Sequence, residues 1–397
     1  MTPATTTVGR PRTHRTGPLL LAVLLVAANL RLGVTSLGAL LDQVHDATGM
    51  SAATASSLTS LPVLCFAVVG ATGMALARRV GVHRGIAVAM ALLAAGLGVR
   101  VLGASPLLVL GTLLACAGIA LANVLLPAVV KEHFPDRVGA VTGAYSAVLS
   151  GGAALGAAAT APIADAAGSW RAGLGTWAVV AVAALVAWAP YCRDPDHTGR
   201  GQRGPSLWRS PTAWAVTVIF ATQGIAAYVV MSWLPTVYVD AGFSHRESGL
   251  LLAVSILVGV PVFFVVPTIA TRLRSQGHLL AGLSLLMGAG FLGLWLAPVG
   301  GAWLWAVILG VGGGIFPVVL TLFSLRAADS AATAALSAMG QSVGYLLAAG
   351  GPLGVGLLRD ATGSWSLPLA LLVGLMLVQI PIGYAAGRPV LVGAPRN

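Results

Sequence analysis

The sequence predicts an all-α membrane protein with twelve transmembrane helices in two parallel-repeat six-helix bundles. Three observations lead there. Only 8% of the 397 residues are charged and 57% are hydrophobic, whereas a water-facing surface calls for roughly 25% charged residues. Apolar stretches of spanning length, roughly 17–25 residues, recur twelve times along the chain. The second half of the sequence repeats landmarks of the first in the same order.

The apolar segments fall at about 17–41, 52–77, 85–103, 106–130, 138–161, 171–190, 212–237, 247–270, 278–297, 302–325, 334–358 and 365–386. Arg10, Arg12 and Arg15 before the first segment imitate a secretory signal. A signal's apolar core is only about 7–15 residues long, and this run continues to Leu41. It is read as a retained first span. Residues 191–211 are polar, basic and rich in Gly and Pro. They read as a linker between an N-terminal bundle, 1–190, and a C-terminal bundle, 212–397.

The repeat is visible in the turns. Asp165-Ala-Ala-Gly168-Ser169-Trp170 returns as Asp360-Ala-Thr-Gly363-Ser364-Trp365. Gly49-Met50-Ser51 returns as Gly242-Phe243-Ser244, and Lys131 matches Arg326. Arg and Lys mark the cytoplasmic side of a membrane protein. Most basic residues fall on one side of the alternating segments, among them Arg78, Arg79, Lys131, Arg193, Arg272 and Arg326. Only Arg100, Arg171, Arg246 and Arg359 fall on the other. This predicts a multi-pass protein of the inner (plasma) membrane with both termini cytoplasmic. The basic excess follows segment ends, so it carries no nucleic-acid reading.

Polar side chains collect in certain segments: Asn29, Arg31, Thr35 and Ser36 in the first, Asn123 in the fourth, Thr142, Tyr145, Ser146 and Ser150 in the fifth. Thr222, Gln223, Tyr228 and Ser232 lie in the seventh, and Ser337, Gln341, Ser342 and Tyr345 in the eleventh. Segments 3, 6, 9 and 12 are almost bare and read as the lipid-facing ones. The pairs Gly139/Gly143, Gly152/Gly156, Gly340/Gly344 and Gly350/Gly354 are spaced for close helix contact. Gly312-Gly313-Gly314 before Pro317 makes the tenth segment the expected bent helix.

Arg31 stands out. It reads as the only ionised side chain deep inside a segment. A charge there costs at least ~2.5–3.5 kcal/mol and faces a cavity or a bundle interior. No segment interior offers an acid, and Asp42 lies eleven residues on, about 16 Å along a helix. Arginine does not deprotonate to escape. Water and a bound anion would satisfy it, and its planar fork suits a carboxylate, a nitro group or a small oxyanion. Helical spacing sets Thr35 on the face of Arg31 and Tyr345 on that of Gln341. The expected substrate-binding residues are Arg31, Thr35, Asn123, Tyr145, Gln223, Tyr228, Gln341 and Tyr345. Asn29 reads as a bond to a neighbouring helix, Trp233 as an interfacial anchor, and Asp165 and Asp360 as helix-end caps.

Enzymatic chemistry finds no support: no segment holds a nucleophile–base pair, paired carboxylates or a metal-ligand cluster. Cys65, Cys116 and Cys192 are too few and too scattered for a disulfide framework or metal site. Cys65 and Cys116 read as packed and inert. No metal and no cofactor is expected.

Several stretches together resemble a known group. The two-half architecture resembles the major facilitator superfamily, whose site lies between the halves near the bilayer midplane. Gly73-Met-Ala-Leu-Ala77-Arg78-Arg79-Val-Gly81-Val-His83-Arg84 is similar to that superfamily's loop between helices 2 and 3, with the usual acidic residue absent. Asn29-Leu30-Arg31, Gly118–Pro127 followed by Lys131, Trp233-Leu234-Pro235 and Ala338–Tyr345 resemble its cyanate and 2-nitroimidazole transporter subfamily. The resemblance implies a secondary transporter, working as a monomer among membrane lipids, for a small anionic or nitro-aromatic solute. The rival within the class is a broad-specificity multidrug exporter. Exporters of apolar cations want buried acids, and this site has the opposite sign.

Overall fold

The computed structural model describes residues 16–50, 58, 61–62, 65–103, 105–193 and 206–393. It is all helical apart from one isolated bridge, Ala327 to Val392, among the described residues. The helices are α1 (Thr16–Gly38), α2 (Leu41–Thr48), α3 (Gly73–Val80), α4 (Val82–Val99), α5 (Ser105–His133), α6 (Val138–Ala167) and α7 (Trp170–Trp188). Then follow α8 (Pro211–Asp240), α9 (His245–Arg272), α10 (Gly277–Leu296), α11 (Ala302–Gly312), α12 (Ile315–Leu325), α13 (Ser330–Thr362) and α14 (Ser366–Ala386). Eleven helical spans among the described residues are long and apolar enough to cross a membrane. The first part of the second apolar segment, the start of the chain and the middle of the 191–211 stretch lie largely outside them, as does the side chain of Asp42.

The ends of these helices are written locally. Ser210 caps α8 by accepting from the Ala213 amide, with Pro211 in the first turn. Ser244 and Glu247 form a reciprocal capping box at α9. Asp329 caps α13 through the Ala332 amide. The repeated Gly-Ser-Trp turns end α6 and α13 alike, with Gly168 and Gly363 left-handed at φ 63° and 65°. Only a glycine takes that conformation without strain. Gly49 and Gly242, the other repeated pair, also have positive φ. Asp165 and Asp360 are exposed and cap nothing through their side chains. The glycine backbone terminates the helix and makes a carboxylate cap superfluous.

Of the expected bends, Pro127, Pro235, Pro261 and Pro352 ride inside continuous helices. The tenth segment does break at Gly312–Gly314, into α11 and α12. Among the helices before residue 191, α1 packs on α6 and α4 on α5. After residue 211, α8 packs on α13 and α10 on α14. The two sets meet chiefly where α6 lies against α9 and α5 against α13.

The glycine pairs split by role. A Cβ on Gly139 would lie 2.4 Å from the Pro267 oxygen, and one on Gly143 2.4 Å from the Phe264 oxygen, so α6 and α9 touch backbone to backbone. This contact is at the end of the bundle carrying Arg137 and Arg272, called here the basic end. Gly152 and Gly156 press instead on Ala28 and Leu32 of α1. Gly340 and Gly344 face Phe323 and Phe220, and nothing approaches Gly350 or Gly354.

Arg31 is not the only charge inside the bundle. Arg100, one residue past α4, is 1% exposed. Its guanidinium donates to the Gly33 oxygen at 2.8 Å, the Ser36 hydroxyl at 3.1 Å and the Leu174 oxygen at 3.2 Å. It staples α1, α4 and α7 together. Counting charges at segment ends assigned Arg100 to a water-facing edge; the long stem instead turns inward and spends its donors on carbonyls. Arg326 is likewise 4% exposed, bonded to the Ala386 and Gly387 oxygens and to Gln276. Burial pushes its guanidinium below the ordinary arginine value.

Candidate functional site

Arg31 lies half-buried on α1. Its Nη1 is 4.0 Å from the Met231 sulfur, and its guanidinium sits 5.8 Å from the Phe316 ring centroid. A ring face attracts a cation weakly, by about 0.5–2 kcal/mol, which does not replace a counter-ion. Among the described residues no carboxylate pairs with it; Arg359, by contrast, pairs with Asp240 at 3.0 Å.

Arg31 opens onto a cavity of about 160 Å³. From before residue 191, α1 and α6 supply Arg31, Leu149, Ser150 and Ala153. The opposite wall comes from α8 (Gln223, Ala227, Met231), α9 (Ser255, Gly259, Phe263) and the broken tenth span (Gly310, Gly313, Phe316). These positions lie toward the middle of their spans, those of the tenth span at its break, so the cavity sits at mid-depth. It is a mostly apolar chamber with one cation.

The expected site residues divide. Gln223 lines the cavity, is 2% exposed, and its carbonyl oxygen has no hydrogen-bond partner. An orphaned buried acceptor costs about 1–3 kcal/mol, so it marks either strain or an absent donor. Tyr228 and Tyr345 are within electrostatic reach of Arg31, with their rings 6.5 Å apart. Tyr145 is buried, near enough to Tyr345 to interact with it, and its hydroxyl makes no hydrogen bond of ordinary geometry. Of these four only Gln223 shares the cavity wall with Arg31; Tyr228 and Tyr345 lie near the arginine behind that wall, and Tyr145 adjoins Tyr345.

The remaining three, Thr35, Asn123 and Gln341, are likewise absent from the cavity wall. The Thr35 hydroxyl donates back to the Arg31 and Leu32 oxygens of its own helix and packs against Gly156. Gln341 donates to the Asn123 backbone oxygen and the Ser337 hydroxyl. Asn123 thus takes part through its backbone. Asn29 does bond a neighbouring helix, donating to the Val180 oxygen at 3.4 Å as well as to its own Leu25 oxygen. Trp233, read as an interfacial anchor, is half-buried and donates to the Pro352 oxygen at 2.9 Å, so it ties α8 to α13.

Sequence reasoning missed the floor of the site. Phe316, Phe263, Met231 and Gly310 carry no polarity, and the eighth and tenth segments that supply most of them had been passed over for that reason. The triple glycine before Phe316 was the available signal. Of the few polar groups in the bare segments, Ser284 donates to Gln379, whose amide donates to Thr222 of α8, whereas Thr176 is exposed.

Two clusters formed across elements, where spacing along the chain shows nothing. The Cys65 and Cys116 thiols share a hydrogen bond, so these two are neighbours rather than scattered, and both are buried. At the basic end His83, Glu132 and His133 bring ligand-type atoms within 4.8 Å of one another. This is the one place among the described residues where three groups of metal-binding type meet, and the scan within segments did not find it.

Comparison with known proteins agrees with this geometry. The chain is 36% identical over 375 residues to the 2-nitroimidazole transporter of Escherichia coli (strain K12), covering 93% of this chain and 95% of that one. It is 33% identical over 370 residues to the cyanate transport protein CynX of the same organism, covering 91% and 96%. The fold matches the solved proton:xylose symporter XylE with a TM-score of 0.77 at 12% identity, over 95% of this chain and 97% of that one. Residues 20–352 match the family model of the Major Facilitator Superfamily, and the chain belongs to that family of transporters.

Proposed function

We propose that this protein is a secondary transporter of the inner membrane that carries a small anionic or nitro-aromatic solute by alternating access. The halves 1–190 and 212–397 rock about the central cavity as a monomer, joined by a cytoplasmic linker, with both termini inside. The observation that carries the reading is Arg31: a cation with no acid to pair with among the described residues, facing a chamber whose walls come from both halves. The unpaired guanidinium is satisfied when the solute binds. The tight α6–α9 contact at the basic end is the inner gate in its closed form. The names of the two relatives, one for a nitro-aromatic and one for an anion, fit the sign of the site. A drug exporter of cations is disfavoured by that same sign.

An inside-negative potential opposes entry of a monovalent anion by ~2.3 kcal/mol per 100 mV. Uptake is therefore electroneutral, or the protein exports. The test is binding and proteoliposome flux of 2-nitroimidazole, cyanate and benzoate with wild type, Arg31→Gln and Arg31→Lys. Loss of binding in Arg31→Gln with the fold intact is expected. Equal binding by wild type and Arg31→Gln would overturn the assignment.

A further inference from the structure

Arg31 accounts for one side of the cavity, and Gln223 stands on the other half of the molecule. The amide of Gln223 lies in the wall, buried, with its carbonyl oxygen unpaired. Among the described residues nothing donates to that oxygen. The Thr222 hydroxyl donates to the Val218 and Ile219 oxygens. The Gln379 amide is taken by Thr222 and Ile219. The terminal torsion of a glutamine is soft and broad, so the amide turns its oxygen toward a donor that enters the cavity. Between the two polar walls the surface is flat and polarisable: Phe316 under the guanidinium, Phe263 beside it at 6.2 Å between ring centroids, and the thioethers of Met231 and Met287.

We infer that the cavity selects a planar aromatic solute with two opposed polar features: an oxygen-rich group, nitro or carboxylate, held by Arg31, and a ring N–H or O–H that donates to Gln223. This rests on the proposed reading of Arg31 and names the substrate class within it. Size points the same way. A chamber of about 160 Å³ is many times the ~10–15 Å³ that a single water needs. A substituted five- or six-membered ring uses that space and stacks on Phe316. A triatomic anion leaves most of it empty and brings no donor for Gln223. A solute spanning both walls also ties α1 to α8, the first half to the second.

The experiment uses the purified full-length protein and two matched pairs of probes. The first pair is 2-nitroimidazole and 1-methyl-2-nitroimidazole, which differ in the ring N–H. The second is 4-hydroxybenzoate and 4-methoxybenzoate, which differ in the O–H. Affinities are measured by calorimetry for wild type, Gln223→Leu, Gln223→Met and Arg31→Gln, with size-exclusion profiles to report folding. In at least one pair, wild type binds the donor-bearing member tenfold or more tightly than its methylated partner. Gln223→Leu and Gln223→Met bind the two members within twofold of each other; the methionine variant serves if the leucine one does not fold. Equal affinities within both pairs for wild type overturn the inference, as does failure of wild type to bind any of the four. Discrimination that persists in both Gln223 variants assigns it to the bulk of the methyl group, and likewise overturns it. Arg31→Gln separates the two claims. Unchanged affinity in that variant sinks the role of Arg31, while the comparison within each pair still reads Gln223.

Discussion

The side-chain amide of Gln341 donates to the backbone oxygen of Asn123 at 2.9 Å, from α13 in one half to α5 in the other. Nearby, the Ser324 hydroxyl donates to the Pro127 oxygen at 3.2 Å. These bonds cross between the halves on the side of the cavity toward the basic end. Gln341→Leu removes the first and leaves the amide's other partner, Ser337, without its donor. The expected cost is about 1 kcal/mol, read as a lower thermal midpoint in detergent. Adding Ser324→Ala lowers it further. A double variant as stable as wild type would contradict the role of these bonds.

The two glycine pairs of α6 have opposite consequences. Gly139→Val and Gly143→Val push a side chain into the backbone of α9, across the halves. On the proposed alternating-access reading, the inner gate then fails to close while the helices on either side stay folded. Solute binding from the outside is lost or weakened, and the size-exclusion profile stays normal. Gly152→Val and Gly156→Val wedge α6 off α1 within one half, where the Cβ of Gly152 would sit 2.2 Å from the Ala28 oxygen. Those variants fold poorly, because overpacking typically costs 1–3 kcal/mol or more.

Arg100→Leu removes three donated bonds from a fully buried position. The expected destabilisation is about 3 kcal/mol or more, seen as loss of folded protein on expression. Arg100→Lys recovers part of it, since a compact ammonium does not span the Gly33, Ser36 and Leu174 acceptors as a planar fork does. Arg31→Leu, by contrast, leaves the thermal midpoint unchanged or raised, because the Arg31 guanidinium donates to no backbone oxygen among the described residues. Comparing the two arginines separates a structural charge from a functional one.

The Asp240–Arg359 pair closes the far end of α8 onto α13, with Trp365 donating to the same Asp240 oxygen at 2.8 Å. Both partners are about a third exposed. Asp240→Asn changes stability by less than about 1 kcal/mol, and the shift in thermal midpoint shrinks further at high salt. A large salt-independent loss would assign the site a role beyond a surface ion pair.

The helical spans, the bend at Gly312–Gly314 and the duplicated turns were all legible in the sequence. Each rests on a local signal: a run of apolar residues, a triple glycine, or a glycine that must be left-handed. Arg31 was legible because a charge in an apolar run is rare. What the sequence hid depends on the third dimension. The inward turn of Arg100, the pairing of Cys65 with Cys116 and the meeting of His83 with Glu132 and His133 each join separate helices. Gln341 was ambiguous because a polar side chain on a helix looks the same whether it faces solute or a neighbouring carbonyl. The apolar floor at Phe316 and Phe263 escaped a search made for polarity.

One wall of the cavity contains Gly259, Gly310 and Gly313. A wall of bare backbone has nothing left to trim. Single substitutions there only add atoms, so they shrink the chamber and never enlarge it. At Gly310 an added carbon lands 2.4 Å from the Ser255 oxygen, while at Gly259 the nearest atom is 3.6 Å away. Gly259→Ala is therefore the tolerated step, and it narrows the range of solutes toward smaller rings. A descendant that accepts larger cargo has to trim a side chain elsewhere in the lining, such as Met231, Phe263 or Phe316, and the last of these lies beneath the arginine.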